Sequence, residues 1–169
     1  MEFKIGDKVV YPNHGIGVIE EIKATSAASD SNGSFYRLRI LANDSTVMVP
    51  ASNIAAVGLR RVIARKELQK VYTVLEDGQI ATHSNWKGRF QENSNRMRTG
   101  EIMEVAAVLK NLSLLSQKKN LSYRERRMLD KARYLVVSEI AEVERSTEAQ
   151  VEEKVDKLVA RSLKNATDH

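Results

Sequence analysis

The first part of the chain alternates short apolar stretches with turn residues. Four stretches before about residue 58 are rich in β-branched and aromatic residues, and they read KVVYP, GIGVIEEI, FYRLRIL and TVMVP. Clusters of Pro, Asn, Asp, Ser and Gly separate them, as expected for strands joined by turns. Strands this short bury their apolar side chains only by curling into a small barrel or sandwich. The polar segment at residues 25–34 predicts a hairpin loop.

From Gly58 onward the apolar period becomes helical. The first predicted helix has one amphipathic face, formed by Leu68, Val71, Tyr72 and Leu75. A second, longer helix is predicted to start from a cap at residues 99–101 and to end at Lys118. Its spacing of apolar residues predicts one buried side along the whole length.

Two more helices are predicted from their start signals. Ser122 stands three residues before Glu125, and Thr147 stands three residues before Gln150. This is the spacing of a capping box, in which the first side chain accepts from a first-turn amide and the second reaches back to the cap. Each box is followed by apolar residues at helical spacing, so each predicts a helix with one buried face.

The two periods together predict an α+β protein with two domains. Residues 1–58 form the small β-domain, and residues 59–169 form an all-α bundle of four to five helices with short connections. No internal repeat or low-complexity tract interrupts either part.

Positive charge is concentrated in the second domain. Residues 1–58 carry 5 basic and 6 acidic side chains, whereas residues 59–169 carry 22 basic and 16 acidic ones. Lys118 to Arg133 alone contributes 7 basic groups against 2 acidic ones, and the segment that follows is acidic. Such a patch fits a polyanion such as nucleic acid, although lysines and arginines also stand on ordinary solvated helix faces.

The residue types argue against several kinds of chemistry. The chain has no cysteine, and its three histidines do not stand at metal-ligand spacing. His14 is interpreted as a turn residue, and no glycine-rich phosphate loop is present. No apolar run approaches the roughly 20 residues that cross a bilayer, and the N-terminus lacks a signal-peptide pattern. We therefore predict a cytoplasmic binding protein that is not an enzyme, uses no metal or cofactor, and does not contact a membrane.

The single tryptophan, Trp86, stands in the polar stretch SNWKGRFQENSNRMR. If this stretch is helical, Trp86 lies in the first turn, with Lys87 beside it and Arg89 on the same face. An aromatic ring flanked by cations can stack on a base or wedge open a base step. It can also plug the core of the bundle, which is the commoner place for a tryptophan. The residue pattern alone leaves both roles open.

Five longer stretches, spread in order from Phe3 to about Leu163, are distinctive as a set. They read FKIGDKVVYPNHGIGVIEEI, VMVPASNIAAVGLRRVI, NWKGRF, TGEIMEVAAVLKNL and LSYRERRMLDKARYLVVSEIAEVE. Together they closely resemble the CarD/CdnL family of bacterial transcription regulators. The first half is also similar to the RNA polymerase-interacting domain of transcription-repair coupling factors.

The resemblance implies a fold and a partner for residues 1–58. They would form a Tudor-like, SH3-like barrel that docks on the β subunit of bacterial RNA polymerase. The strand STVMVP would pair edge to edge with a strand of that subunit, which is β-augmentation. Alternation would turn Val47 and Val49 into the barrel and leave Thr46 and Met48 facing the partner.

For residues 59–169 the resemblance implies binding to promoter DNA at the upstream edge of the transcription bubble. Trp86 matches the family's tryptophan, which is inserted in the minor groove beside the −10 element. The candidate phosphate contacts are Lys87, Arg89, Arg96, Arg98, Arg126, Arg127, Lys131 and Arg133.

The resemblance thus predicts a regulator of transcription initiation. It would dock on polymerase, stabilise the open complex with Trp86 as a wedge, and act as a monomer. The alternative is a general nucleic-acid-binding or architectural protein without polymerase contact. The cationic domain alone fits that alternative equally well.

Overall fold

The chain folds into two compact units, Met1–Val62 and Ile63–His169. The computed structural model describes residues 3–24, 34–77 and 86–167, so most of the loop predicted at residues 25–34 lies outside the described residues. The units divide slightly later than the predicted boundary after residue 58. The reason is that Arg60–Arg61 forms a short strand of the first unit.

The first unit is an antiparallel sheet with five strands among the described residues. They are β1 (Lys8–Tyr11), β2 (Gly15–Ala24), β3 (Ser34–Ile40), β4 (Thr46–Pro50) and β5 (Arg60–Arg61). Their spatial order is β4-β3-β2-β1-β5, so β4 and β5 lie at the two edges. The first four strands coincide with the four predicted from the sequence.

Alternate side chains of the sheet fill the core of this unit. Val9, Ile19, Leu38 and Val49 are at most 2% exposed. The Phe3 ring packs edge to face against a core tyrosine, with ring centres 5.8 Å apart. The β-branched and aromatic residues on which the strand prediction depends thus alternate between the core and the other face of the sheet.

A short helix and β5 complete the sheet unit, and neither was predicted. Helix α1 (Ile54–Val57) ends at Gly58, whose φ of 76° lies in the left-handed region that favours glycine. The chain then runs antiparallel beside β1, where Arg61 stands opposite Val9. Both elements are too short to show a recognisable hydrophobic periodicity in the sequence.

The second unit contains five α-helices among the described residues. They are α2 (Leu68–Glu76), α3 (Trp86–Thr99), α4 (Ile102–Ser116), α5 (Tyr123–Glu144) and α6 (Glu148–Thr167). Helix α4 contacts each of the other four. This arrangement confirms the α+β fold class.

The predicted helical faces supply the core of the bundle. Val71, Leu109, Val136 and Val155 have no exposed surface. The start of α6 is capped as predicted, because Thr147 N–H donates to Gln150 Oε1 at 3.3 Å and Gln150 N–H donates to Thr147 Oγ1 at 3.2 Å. Local signals and tertiary packing therefore agree here.

The junction of α3 and α4 differs in detail from the prediction. Thr99 is the last residue of α3, and Gly100 follows with a φ of 71°. Glu101 is the N-cap of α4 but makes no side-chain cap bond. Thr99 Oγ1 instead accepts from Glu101 N–H at 3.2 Å. The stretch thus ends one helix as well as starting the next.

We expect Leu109→Ala to lower the free energy of unfolding of the helical unit by about 2–5 kcal/mol, because the side chain is fully buried and leaves a cavity. Urea unfolding followed by far-UV circular dichroism measures this. Leu41→Ala, at a position 39% exposed in the sheet unit, is the control and should leave the helical transition within about 0.5 kcal/mol of wild type. Equal losses from the two variants would contradict the packing described here.

Candidate nucleic-acid interface

From residue 86 onward, the polar stretch around the single tryptophan is helical, which is the condition under which its side chains were considered above. Helix α3 begins at Trp86, but the side chain of Trp86 lies outside the described residues, and both roles considered for it stay predictions. Lys87, the next residue, is exposed. The buried face of α3 consists of Arg89, Asn93 and Met97, which follow one another at helical spacing. A charged residue therefore stands on the inner face of this helix.

Arg89 is buried against Glu125 of α5. Only 3% of Arg89 and 1% of Glu125 are exposed. The Nε of Arg89 donates to Oε2 of Glu125 at 2.7 Å, and an Nη donates to Oε1 at 3.3 Å. The prediction that Arg89 contacts phosphate is therefore contradicted, because the guanidinium is shielded from solvent and already neutralised. Arg89 instead links α3 to α5.

Glu125 also closes the cap of α5. The Oγ of Ser122 accepts from Glu125 N–H at 3.1 Å, and Ser122 N–H donates to Glu125 Oε1 at 3.3 Å. These two bonds are the capping box expected from the spacing. One carboxylate thus joins the start of α5 to the first turn of α3.

The surroundings of Glu125 hold its carboxyl in the ionised form. Burial is the largest influence on its pKa and acts to raise it. The hydrogen bonds from Arg89 and Ser122, together with the charge of Arg89, outweigh burial, so the pKa of Glu125 lies below the ordinary value for glutamate. The negative charge that Arg89 needs is therefore present at neutral pH.

Two of the predicted phosphate contacts are engaged in ion pairs at the surface. Arg96 pairs with Glu92 at 3.1 Å. Arg133 pairs with Asp156 and, at 3.6 Å, with Glu152. Surface pairs of this kind contribute little to stability, but their carboxylates repel a phosphate that approaches. Both arginines are therefore weaker candidates for contacts with a polyanion.

The other predicted cations are exposed, and they are Lys87, Arg98, Arg126, Arg127 and Lys131. Within residues 3–24, 34–77 and 86–167, none of the five makes an ion pair. A solvated cation that is not held in an ion pair keeps most of its attraction for a polyanion. These five residues are the strongest of the predicted phosphate contacts.

Two exposed residues at the start of α5, Tyr123 and Arg124, were not among the candidate site residues predicted from the sequence. The guanidinium carbon of Arg124 lies 4.4 Å from the centre of the Phe90 ring, a cation–π contact that joins α5 to α3 a second time. Tyr123 is 65% exposed, and the guanidinium carbon of Arg127 is 5.8 Å from its ring centre. The spacing of four residues between Tyr123 and Arg127 was the available signal.

The strand predicted to face polymerase is an edge of the sheet. Strand β4 pairs with β3 on one side, and no other strand in the described part of the chain lies beyond it. Val49 is buried and Val47 half-buried, whereas Thr46 and Met48 are exposed, Met48 to 47%. The side chains therefore alternate as predicted, while the contact with polymerase stays a prediction.

Backbone groups of β4 point away from the sheet. The N–H of Ile40 donates to the carbonyl of Ser45 at 2.8 Å, which marks these two residues as a hydrogen-bonded pair. Such pairs alternate along an antiparallel ladder with pairs that make no bond to each other. Thr46 and Met48 fall on the alternate positions. Their N–H and C=O groups are therefore directed outward, where another strand could bind them.

The strands next to this edge carry a cluster of opposite charges. The pairing of β2 with β3 shifts register between Ile19 and Glu21, which is typical of a β-bulge. Arg37 pairs with Glu21 at 3.2 Å and with Glu20 at 3.5 Å, and Arg39 also pairs with Glu20. The sheet surface beside β4 is thus of mixed charge, in contrast to the cationic start of α5.

The described residues provide little for other kinds of site. Among them, no group of three or more His, Cys, Asp or Glu could hold a metal ion. His14 stands in a turn, with its ring 4.9 Å from that of Tyr11. Over the same residues, no helix combines the length and apolar character needed to span a bilayer.

We expect Glu125→Gln to remove part of the acid sensitivity of the helical unit. A carboxyl whose pKa is lowered by folding stabilises the fold above its unfolded pKa, about 4.3 for glutamate, and this stability is lost as the pH falls through the folded pKa. Between neutral and acidic pH, the free energy of unfolding should therefore fall more steeply for wild type than for Glu125→Gln in urea titrations. The exposed Glu153→Gln should follow wild type. Parallel curves for wild type and Glu125→Gln would contradict this assignment.

Comparisons with known proteins match consecutive parts of the chain. The family model of the CarD-like/TRCF RID domain matches residues 3–63, and that of the CarD C-terminal domain matches residues 70–156. A curated relative from Bacillus subtilis (strain 168), "Putative transcription factor YdeB", is 33% identical over 149 residues, which cover 88% of this chain and 97% of the relative. Both resemblances expected from the sequence are confirmed. The chain belongs to the CarD family of transcription factors, with an RNA polymerase-interacting domain followed by the CarD C-terminal domain.

Proposed function

We propose that this protein regulates transcription initiation by binding polymerase and promoter DNA at once. The sheet unit docks on the β subunit of bacterial RNA polymerase through β4. The helical unit binds promoter DNA at the upstream edge of the bubble, where Trp86 acts as a wedge. The observation that carries the proposal is a bare edge strand in one unit combined with solvent-exposed cations in the other. The protein acts as a monomer in cytoplasmic transcription complexes.

The geometry of β4 supports docking by β-augmentation. The outward N–H and C=O groups of Thr46 and Met48 would bond a strand of the β subunit, each bond contributing about 0.5–1.5 kcal/mol net. The exposed side chains of the same two residues would provide specificity. Because the core side chains of Val47 and Val49 face the other way, docking requires no rearrangement of the sheet.

The exposed cations support binding to the phosphate backbone. Lys87 precedes the buried Arg89 in the first turn of α3, and Arg126 and Arg127 follow Glu125 in α5. The buried ion pair therefore brings both groups of cations into one region of the helical unit. Each phosphate that they neutralise adds about 0.9 to the salt dependence of binding to duplex DNA. Binding to duplex alone should be weak and sensitive to salt.

Trp86 supplies the contact that distinguishes open from closed promoter DNA. It occupies the first position of α3, a helix whose backbone is tied to α5 through Arg89. An indole that gains contacts only on melted, bent DNA shifts the equilibrium toward the open complex. An additional 1.4 kcal/mol for the open state changes that equilibrium about tenfold, and one aromatic stacking contact is worth about 1–3 kcal/mol.

Docking makes such a weak contact sufficient. A tether of this kind places the helical unit near the promoter at an effective concentration of roughly millimolar. Sequence readout is minor, because the minor groove distinguishes little beyond A·T from G·C. The effect on transcription depends on the promoter, since a stabilised open complex can also be slow to escape.

We expect Met48→Pro to abolish binding to the β subunit while leaving the sheet folded. Met48 stands at a position whose N–H points away from β3, so proline removes an outward donor and no bond of the sheet. A pull-down with purified β subunit measures binding, and circular dichroism checks the fold.

Two variants control this experiment. Met48→Ala keeps the outward N–H and should retain most of the binding. Val47→Pro removes a bond to β3 and should destabilise the sheet itself. A folded Met48→Pro protein that binds as well as wild type would show that β4 does not pair with polymerase. A wild-type protein that binds DNA but no β subunit would instead favour the general nucleic-acid-binding alternative.

We expect Trp86→Ala to shorten the open-complex lifetime roughly tenfold on a ribosomal-type promoter without loss of polymerase binding, because one contact of about 1–3 kcal/mol is removed. Decay of competitor-resistant complexes measures the lifetime. Tyr134→Ala, an exposed aromatic on α5, is the control and should behave as wild type. If Trp86→Ala left the lifetime unchanged, the wedge mechanism would be wrong.

A further inference from the structure

One exposed stripe of α5 combines an aromatic ring with cations. Tyr123, Arg127 and Lys131 stand four residues apart, on one side of the helix, and all three are exposed. The stripe is about 12 Å long at the rise of an α-helix. Tyr123 is 65% exposed, so burial does not explain why an aromatic residue is placed at the start of this helix.

Buried contacts beneath the first turn of α5 hold the backbone around Tyr123 in place. The capping box of Ser122 and Glu125 sets the backbone of the first turn, and Glu125 is held in turn by Arg89. The guanidinium carbon of Arg127 lies 5.8 Å from the centre of the Tyr123 ring. The ring is therefore supported by a cation while most of its surface is open to solvent.

The carboxylates near this stripe weaken its positive charge little. Glu125, the acidic residue of the first turn, is buried and neutralised by Arg89. Asp130 is exposed and lines an open pocket of about 300 Å³ together with two cations, Lys119 and Arg126. The solvent-exposed side of the first turns of α5 is thus aromatic and cationic.

An aromatic ring beside cations fits a strand whose bases are unpaired. Every base has a π-face that can stack on tyrosine, and nearby cations hold the phosphates, whereas a duplex keeps its base faces stacked inside. We propose that Tyr123 stacks on an unpaired base of single-stranded DNA, with Arg127 supporting the ring and Lys131 contacting the backbone.

A second tyrosine on the same helix provides a contrast. Tyr134 is 37% exposed, but burial and, after it, the negative charge of Glu148 raise the pKa of its hydroxyl. A negative neighbour disfavours a phosphate backbone, whereas Tyr123 has Arg127 in the corresponding place. The same Tyr→Ala substitution can therefore be made beside a cation, at Tyr123, and in the field of a carboxylate, at Tyr134.

This inference deepens the proposed function and rests on it for the source of the strand, because open promoters are where this protein would meet unpaired DNA. It adds a residue that acts on the separated strand, apart from Trp86 at the junction. Binding of single-stranded DNA can be measured with the full chain and without polymerase, so the two proposals can fail separately.

The test is fluorescence anisotropy of a short labelled oligothymidine with the full-length protein. Tyr123→Ala should weaken binding by about 5- to 150-fold, the range for one lost base-stacking contact. Tyr123→Phe keeps the ring and should bind as wild type. The salt dependence should be unchanged in Tyr123→Ala, whereas Lys131→Gln should lower its slope by about 0.7, the value for one phosphate contact on a single strand.

The control variant is Tyr134→Ala, which should bind oligothymidine as wild type. A duplex of the same length should bind Tyr123→Ala and wild-type protein equally. Equal affinity of Tyr123→Ala and wild type for oligothymidine would overturn the inference, as would equal losses on single strand and duplex. An effect of Trp86→Ala on open-complex lifetime without any effect of Tyr123→Ala on oligothymidine would refute only this inference. The reverse result would refute only the wedge.

Discussion

A guanidinium and a carboxylate that are both removed from water hold α3 against α5. Neither charge is tolerated alone in such a place, since breaking a buried pair by removing one partner is destabilising by about 3–5 kcal/mol. Arg89 therefore fixes where α3 lies, and Glu125 serves this contact and the cap of α5 with the same carboxylate. The position of Trp86 at the start of α3, and of Tyr123 at the start of α5, follows from this one pair. The surface proposed to bind DNA is thus positioned by two charged residues, Arg89 and Glu125, that are buried beneath it.

The edge strand β4 of the sheet unit, proposed to bind polymerase, depends on a different principle. Unpaired strand edges invite aggregation, and proteins usually shorten them, cover them or give them charged residues. Edge strand β5 is two arginines long, in keeping with that rule. Edge strand β4 is longer, carries an exposed Met48 and directs backbone groups outward. In the neighbouring strand β3, Arg37 and Arg39 are paired with carboxylates. The net electrostatic field beside the edge is therefore small. An edge left open in this way fits the docking proposed for β4.

Much of the fold could be predicted because its signals are local. Four strands follow from short β-branched and aromatic stretches bounded by turn residues, and the starts of α5 and α6 follow from capping residues that act within one turn. The elements that were missed depend on distant contacts. Strand β5 exists because Arg61 meets Val9 across the sheet, and no pattern within two residues could show that. Arg89 was misassigned because a charged residue in a polar helix is normally solvated. Its spacing of eight residues from the buried Met97 was the one available sign that it faces inward.

The distribution of cations, more than their number, decides where a polyanion can bind the helical unit. Along α5 the later cation Arg133 is matched by Glu152 and Asp156 of α6, and Tyr134 has Glu148 nearby. At the start of the helix the acidic residue is buried, and the arginines that flank it face solvent or aromatic rings. Attraction for phosphate is therefore focused on the end of α5 that is tied to α3. The electrostatic field of these cations acts within about 10 Å at moderate salt. A nucleic-acid strand bound at the start of α5 therefore also lies within reach of the first turn of α3. The same ion pair that orders the fold thus determines where on the helical unit these exposed cations lie.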